Sequence, residues 1–342
     1  MKPVLLRHLD GEHIGRFPVW MMRQAGRYLP SYRAIREKHS FWEMVTQPEI
    51  AAEVSLLPLA ELPVDGVIFF SDILTLPYGF GIEVQMQESV GPVVPAPLRT
   101  LGAFQRFTGF DPMIHTAFVG KALQGIREKI PAEVALLGFA GAPWTVASYL
   151  VEGRGKTHFE KIKGWMLKSP RELAQALEPL AEATLRYLLY QNKNGAHVVQ
   201  LFDTWLGEMP REFFVEYYLP LLNKIFVPLK DAGIPTIYFA KRSSHLYSDF
   251  RELEVPILSV DELLPLKEVE RLTGGEFSLQ GNLDPILLLG EEGIVRLKTR
   301  ELVQEARTLS KPAIINLGHG IMPGASVANA KAFVAEARTL WV

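Results

Sequence analysis

Short apolar runs rich in Val, Ile and Phe recur along this chain, each followed by a longer stretch of helical period, and few folds accept that alternation. A run of four to six β-branched or aromatic residues reads as a strand, and apolar residues at spacings of three and four read as a helix. Eight such runs occur: FPVW (17–20), GVIFF (66–70), VALLGF (134–139), HVVQLF (197–202), PTIYF (235–239), PILSV (256–260), FSLQGN (277–282) and AIINLGHG (313–320). After the last of them Ser326 can cap a helix in which Val327, Ala330, Phe333, Val334, Ala337 and Trp341 form one apolar stripe, a core face rather than a cofactor box. Eight strand-helix units in 342 residues predict an α/β fold, a single (β/α)8 TIM-type barrel spanning 1–342. An open doubly wound sheet would more often carry a Gly-rich dinucleotide turn after its first strand, and neither GxGxxG nor GxxxxGK[ST] is present. No low-complexity linker divides the series. One connection is exceptional: after the second strand, ILTLPYGFGIEVQMQESVGPVVPAP alternates Ile82, Val84 and Met86 and then reaches a Gly-Pro-rich turn. A small hairpin followed by irregular chain is expected there, an elaborated loop over the pocket mouth or at a subunit contact.

In such a barrel the carboxyl ends of the strands line the active-site mouth. By that rule the mouth receives Arg23, Gln24 and Arg27, then Ser71 and Asp72, then Gly141, Pro143 and Trp144, then Asp203 and Thr204, and finally Lys241, Asp261, Asn282 and His319. The first group stands out. Between Gly15 and Arg36 the chain has five arginines (Arg16, Arg23, Arg27, Arg33, Arg36) and no Asp, Glu or Lys, although the whole chain balances 36 basic residues against 38 acidic ones. Planar forks set among Trp20, Met21, Met22, Tyr28 and Tyr32 suit a carboxylate or phosphate gripped bidentately beside apolar walls. If the segment is helical, Arg23 and Arg27 share a face and repel unless an anion sits between them. The alternative is a surface loop whose arginines pair with distant acids. Each strand-end residue has a structural alternative as well. Asp72 and Asp203 could cap the helices that follow. His319, between two glycines, could be a satisfied histidine in a tight turn, and Tyr149 a core residue with its hydroxyl at the rim.

Composition excludes several classes. A net charge of -2 offers no general surface for nucleic acid, so the arginines read as a local site. No apolar run approaches the ~20 residues of a membrane span, and MKPVLLRHLDGEHIG has too short an apolar core for a secretory signal, so a cytoplasmic protein with no membrane partner is the expectation. Zero cysteines remove disulfides, cysteine-held iron-sulfur clusters and thiolate zinc sites.

PVWMMRQAGRYLP (18–30) resembles the first signature of the uroporphyrinogen decarboxylases, and GFAGAPWTVASYLVEG (138–153) resembles their second. FFSDIL, QLFDTW, QGNLDP and LGHG follow in that family's order, so the resemblance runs from about Pro18 to about Gly320. It implies carboxylate-binding arginines at Arg23 and Arg27, a central aspartate at Asp72, a pocket tyrosine at Tyr149, a pocket hydroxyl at Thr204, where other members often have serine, and a pocket histidine at His319. Gln24, Arg36 and Phe139, inside or beside the signatures, are expected substrate contacts. A (β/α)8 barrel, a homodimer and no cofactor or metal are implied too. Two loops depart from the family pattern: KRSSH (241–245) lacks the Gly-containing turn that usually follows the lysine, and Asp261 is followed by Glu262 rather than Trp.

The implied reaction removes the four acetate carboxyl groups of uroporphyrinogen III to give coproporphyrinogen III in porphyrin and haem biosynthesis. A substrate with eight carboxylates accounts for an arginine cluster. Protonation of a pyrrole carbon creates a ring cation that accepts the electron pair left by carbon dioxide, so the substrate supplies the sink that a cofactor provides elsewhere. A fixed carboxylate such as Asp72 beneath the pyrrole N–H groups stabilises that cation. Arginine holds its proton too tightly to be an easy acid, so Arg23 and Arg27 first grip carboxylates, and His319 and Tyr149 position or relay. Two rivals are a corrinoid-linked methyltransferase, whose cysteine zinc ligand this chain lacks, and a non-catalytic tetrapyrrole carrier, in which a deep Asp72 would oppose an anionic ligand.

Overall fold

The computed structural model describes residues 1–87, 90–155 and 157–339. Seven of the eight apolar runs are strands of one parallel sheet: β1 (Gly66–Ile68), β4 (Ala135–Gly141), β5 (Val198–Asp203), β6 (Thr236–Ala240), β7 (Ile257–Val260), β8 (Ser278–Leu283) and β9 (Ala313–Leu317), each paired with the next in that order. Their residues are buried almost without exception, because helices cover the outer side and the curled sheet covers its own inner side. That is why these strands read as continuous apolar runs instead of alternating ones.

The first run behaves differently. FPVW makes a single parallel bridge, Val19 to Ile315, in which the Ile315 N–H donates to the Pro18 carbonyl (2.9 Å) and the Trp20 N–H to the Ile315 carbonyl (3.3 Å). On its other side the Asp65 N–H donates to the Val19 carbonyl (2.8 Å). Pro18 has no N–H to extend the ladder, and the Phe17 carbonyl accepts from Arg16 Nη1 (3.0 Å), so the pairing stays at one bridge.

Inside the curl lie two layers of side chains. In the lower, the Trp20 indole N–H donates to Gln280 Oε1 (2.9 Å), while Gln280 Nε2 donates to Ser259 Oγ (2.9 Å) and Gln200 Oε1 (3.2 Å), joining four walls through buried polar groups. Above it runs a series of rings: Phe69 to Phe139 at 5.1 Å, Phe139 to Phe202 at 5.5 Å, Phe202 to Phe239 at 5.7 Å and Phe239 to His319 at 6.0 Å. These are the separations that edge-to-face and tilted aromatic pairs prefer.

The long connection after β1 contains the expected hairpin, β2 (Gln85–Gln87) against β3 (Gly91–Val93), with Ile82 and Val84 buried at its base. A bridge from Val93 to Arg154 ties it to the chain just beyond the helix Pro143–Glu152. In the last helix, Val327–Ala337, Ser326 Oγ accepts the Asn329 N–H (2.9 Å) and Ala330, Phe333, Val334 and Ala337 are fully buried; Trp341 lies outside the described residues. Burying Phe333 alone is worth about 1.5 to 3 kcal/mol of apolar transfer.

Candidate active site

The five arginines divide by what their neighbours offer. Arg16 forms a buried bidentate pair with Asp65 (2.6 and 2.7 Å), whose carboxylate also accepts the Val19 N–H (2.9 Å) and pairs with Arg338 (2.8 Å). This brace stands where the chain enters β1, at the opposite end of the sheet from the mouth. Arg33 donates to the Arg27 and Tyr28 carbonyls, and Arg36, half-buried, donates to the His39 carbonyl (2.9 Å), so both fix backbone. Arg23 and Arg27 remain exposed, and among the described residues neither forms an ion pair. The helical arrangement considered for them does not occur. The helix starts only at Pro30, and Arg23 occupies the left-handed region (φ 61°), a conformation that non-glycine residues rarely adopt and that concentrates at functional sites. Gly320 makes room for it: a Cβ there would fall 2.7 Å from Arg23 Cγ and 2.9 Å from Nε.

Asp72 lies four residues beyond Ile68, the last residue of β1, and is half-buried. Its Oδ1 accepts the Leu74 N–H (2.8 Å), and its own N–H donates to Thr75 Oγ1 (3.1 Å). Asp72 does not cap the helix Thr75–Gly79; Oδ1 shapes the turn before it, and among the described residues Oδ2 takes no hydrogen bond. Desolvation pushes the Asp72 pKa above the usual carboxylate range, with the Leu74 bond and the Arg23 charge opposing. The same two charges reach Tyr149, whose phenol is pushed up to about 12, first by burial, then by Asp72, with Arg23 opposing. His319 is held down to about 3, by burial and then by the Arg23 and Lys241 cations, so it is a neutral imidazole at physiological pH. Arg23 thus lies within electrostatic reach of Asp72, Tyr149, His319 and Lys241, which follow four different segments of the sheet order.

The other expected contacts take various places. Thr204 is half-buried and directly follows β5, where Gln200 and Phe202 face inward, so alternation turns Thr204 toward the mouth. Phe139 is buried in the ring layer beneath the mouth. Gln24 is fully buried, its amide accepting from the Met21 N–H (3.1 Å) and donating to the Gly66 carbonyl (2.9 Å), which fastens the arginine turn to β1. Arg36 and Arg27 act electrostatically on Tyr32, whose ring packs 5.7 Å from Phe70, next to the Asp72 turn. Asp203, one residue before Thr204, faces away from the mouth and does not cap a helix. Its carboxylate accepts Thr145 Oγ1 (2.6 Å), Tyr218 (2.7 Å) and Tyr238 (2.9 Å), and burial pushes its pKa to about 6.

Comparison with known proteins decides the family. The family model for uroporphyrinogen decarboxylase matches residues 2–340. Uroporphyrinogen decarboxylases of Prochlorococcus marinus and Schizosaccharomyces pombe are 38% and 36% identical to this chain, over 97% of it and 95% of each relative. The chain belongs to the uroporphyrinogen decarboxylase family. A methyltransferase from Methanosarcina mazei superposes with a TM-score of 0.81 over 97% of this chain and 96% of that one, at 24% identity, a likeness of fold alone.

Within this decarboxylase-family site, two residues stand close to the machinery that strand-end reasoning does not single out. Tyr187, on the helix Pro170–Lys193, is buried with its hydroxyl facing Ser71 without a hydrogen bond of normal geometry, and burial raises its pKa well above the ordinary phenol. In sequence it is one more apolar-face residue of a long amphipathic helix, so nothing local marks it. Glu262 packs against Gly318 with Oε2 buried and, among the described residues, without a hydrogen-bond partner.

Proposed function

We propose that this protein removes the four acetate carboxyl groups of uroporphyrinogen III, giving coproporphyrinogen III in porphyrin biosynthesis, as a cofactor-independent carboxy-lyase. The observation that carries the reading is a half-buried Asp72 with one oxygen spent on its turn, within electrostatic reach of the exposed Arg23, which like the exposed Arg27 forms no ion pair among the described residues. Membership of the family supports the substrate. Arg23 and Arg27 grip carboxylates of the substrate. The free oxygen of Asp72 accepts hydrogen bonds from the pyrrole N–H groups and stabilises the ring cation formed when a pyrrole carbon is protonated. Carbon dioxide then leaves, and the electron pair of the broken C–C bond neutralises the ring as an exocyclic methylene. A proton added to that methylene makes the methyl group, and loss of the proton first placed on the ring carbon restores the pyrrole. Neutral His319 and un-ionised Tyr149 orient substituents and offer hydrogen bonds without adding charge. Thr204 adds a hydroxyl, Arg36 and Gln24 hold the arginine turn and its neighbour, and Phe139 supplies apolar floor.

The architecture proposed for this chemistry is a single closed (β/α)8 barrel with the FPVW segment as first strand and the hairpin-bearing loop after the second. The Val19–Ile315 bridge on one side, the Asp65 N–H to Val19 carbonyl bond on the other and the Trp20–Gln280 bond across the interior support closure. A homodimer is proposed as well; the segments following β7 and β8 expose Leu263, Ile286, Leu289, Ile294 and Leu297, side chains that a subunit contact would cover. No helix among the described residues is long and apolar enough to cross a membrane, which is compatible with the proposed cytoplasmic location. The test is anaerobic incubation of chelated, dialysed protein with uroporphyrinogen and separation of the products. Sequential loss of carbon dioxide to a tetracarboxylate product is expected. No turnover, turnover only on adding a metal, or binding without turnover would each refute the reading, the last in favour of a carrier.

A further inference from the structure

The proposed substrate carries more carboxylates than Arg23 and Arg27 can hold, and a third cation rises from another wall of the mouth. Lys241 directly follows β6, and its N–H donates to the Asp203 carbonyl (3.3 Å), so the ladder in which Asp203 pairs with Ala240 continues one residue past the strand. Along β6, Tyr238 turns outward to Asp203 Oδ2 and to the rings of Phe226 and Phe250, whereas Phe239 turns inward to Phe202 and His319. Lys241 is next in the inward series, which lifts its ammonium above the ring layer beside His319. It is half-buried, and among the described residues it forms no ion pair.

The acids that follow β7 divide the work there. Asp261 spends its carboxylate on the Arg242 N–H (2.5 Å) and the Leu263 N–H (3.2 Å), shaping turns. Among the described residues Glu262 keeps Oε2 buried without a hydrogen-bond donor, an arrangement that is costly unless a cation lies near. It occupies space that only glycine leaves open, since a Cβ on Gly318 would fall 2.7 Å from Oε2. Burial lowers the Lys241 pKa, Glu262 is its largest opposing influence, and Arg242, Asp261 and Arg23 act more weakly.

We propose that Lys241 is a third carboxylate grip of this site and that Glu262 is the counter-charge that holds its ammonium at the mouth. The assignment rests on the decarboxylase reading above. A compact ammonium on a flexible stem can follow different substituents as the ring is re-seated between decarboxylations, which a planar guanidinium fork does less readily.

Anaerobic steady-state kinetics with uroporphyrinogen, run at low and high salt on the parent, Lys241→Met, Lys241→Arg, Glu262→Gln and Lys241→Met with Glu262→Gln, test it. Lys241→Met is expected to raise KM about ten- to a hundred-fold, the loss of one charge-assisted contact, with kcat within about threefold and a weaker salt dependence of KM. Lys241→Arg should restore most of KM, a rescue that a purely structural role for the stem would not require. Glu262→Gln should change KM in the parent and leave it unchanged in the Lys241→Met background. A parental KM in Lys241→Met protein of unchanged thermal midpoint overturns the grip, and an equal Glu262→Gln effect in both backgrounds overturns the counter-charge. A parent that cannot decarboxylate uroporphyrinogen overturns the functional reading and this assignment together, whereas an active parent with an unaffected Lys241→Met variant overturns Lys241 alone.

Discussion

Replacing Asp72 with asparagine separates the two tasks that the structure gives its carboxyl group. Oδ1 is occupied by the Leu74 N–H at 2.8 Å, and an asparagine oxygen keeps that bond, so the fold should survive with a thermal midpoint within a few degrees of the parent. What disappears is one negative charge facing the substrate. Two unit charges about 4 Å apart interact by about 4 kcal/mol at an effective dielectric of about 20, and roughly half of that where water still reaches the group, as it does at half-buried Asp72. Because the ring is cationic only after protonation, this loss of about 2 to 4 kcal/mol falls on the transition state and lowers kcat by roughly thirty- to a thousand-fold. Before protonation the pyrrole rings are uncharged and lose only a hydrogen bond or two, about 1 kcal/mol each, so binding of a non-reactive porphyrin analogue should weaken about fivefold to thirtyfold. Single-turnover decarboxylation and equilibrium binding, measured on the same preparation, give the two numbers. An Asp72→Asn protein that turns over at near the parental rate would return Asp72 to its turn with Leu74 and remove it from the chemistry.

Three further outcomes follow from the geometry. Arg23→Ala and Arg27→Ala should each raise KM about ten- to a hundred-fold and release partly decarboxylated intermediates, visible in the product profile; unchanged KM in both would show that their exposed guanidinium groups grip nothing. Asp65→Ala strands Arg16 and Arg338 and should cost about 3 to 5 kcal/mol in chemical denaturation, while the folded fraction keeps its kcat because the brace lies away from the mouth. For His319 the folded pKa of about 3 lies below the ordinary histidine value near 6.5, so across that window the unfolded chain binds a proton that the folded one refuses, and stability falls as pH falls. Denaturant melts between pH 6.5 and 4 should show a shallower decline for His319→Gln, by up to one proton, and identical slopes would refute the buried neutral imidazole.

Much of this protein was decided by local pattern. A β-branched run has one way to satisfy its backbone and a helical stripe another, so seven strands fall where the apolar runs predict, the hairpin forms where Ile82 and Val84 alternate, and Ser326 caps its helix. The strand-end rule likewise brought Arg23, Asp72 and His319 within electrostatic reach of one another, because every parallel strand of a curled sheet delivers its carboxyl end to the same side. Charge pairing was not legible in this way. Whether an arginine is spent or free depends on partners that sequence distance conceals: Arg16 meets Asp65 across 49 residues and Arg338 meets the same carboxylate across 273, leaving Arg23 and Arg27 without an ion pair among the described residues. Parity is equally hidden at a strand end. A shift of one residue separates Asp203, clasped by Thr145, Tyr218 and Tyr238 on the outer side, from Thr204 on the inner, and only the packed helices show which of the two turns toward the mouth. Tyr187 and Glu262 belong to the same class, since a phenol on a core-facing helix and an acid after a strand acquire their neighbours only when elements remote in sequence close around them.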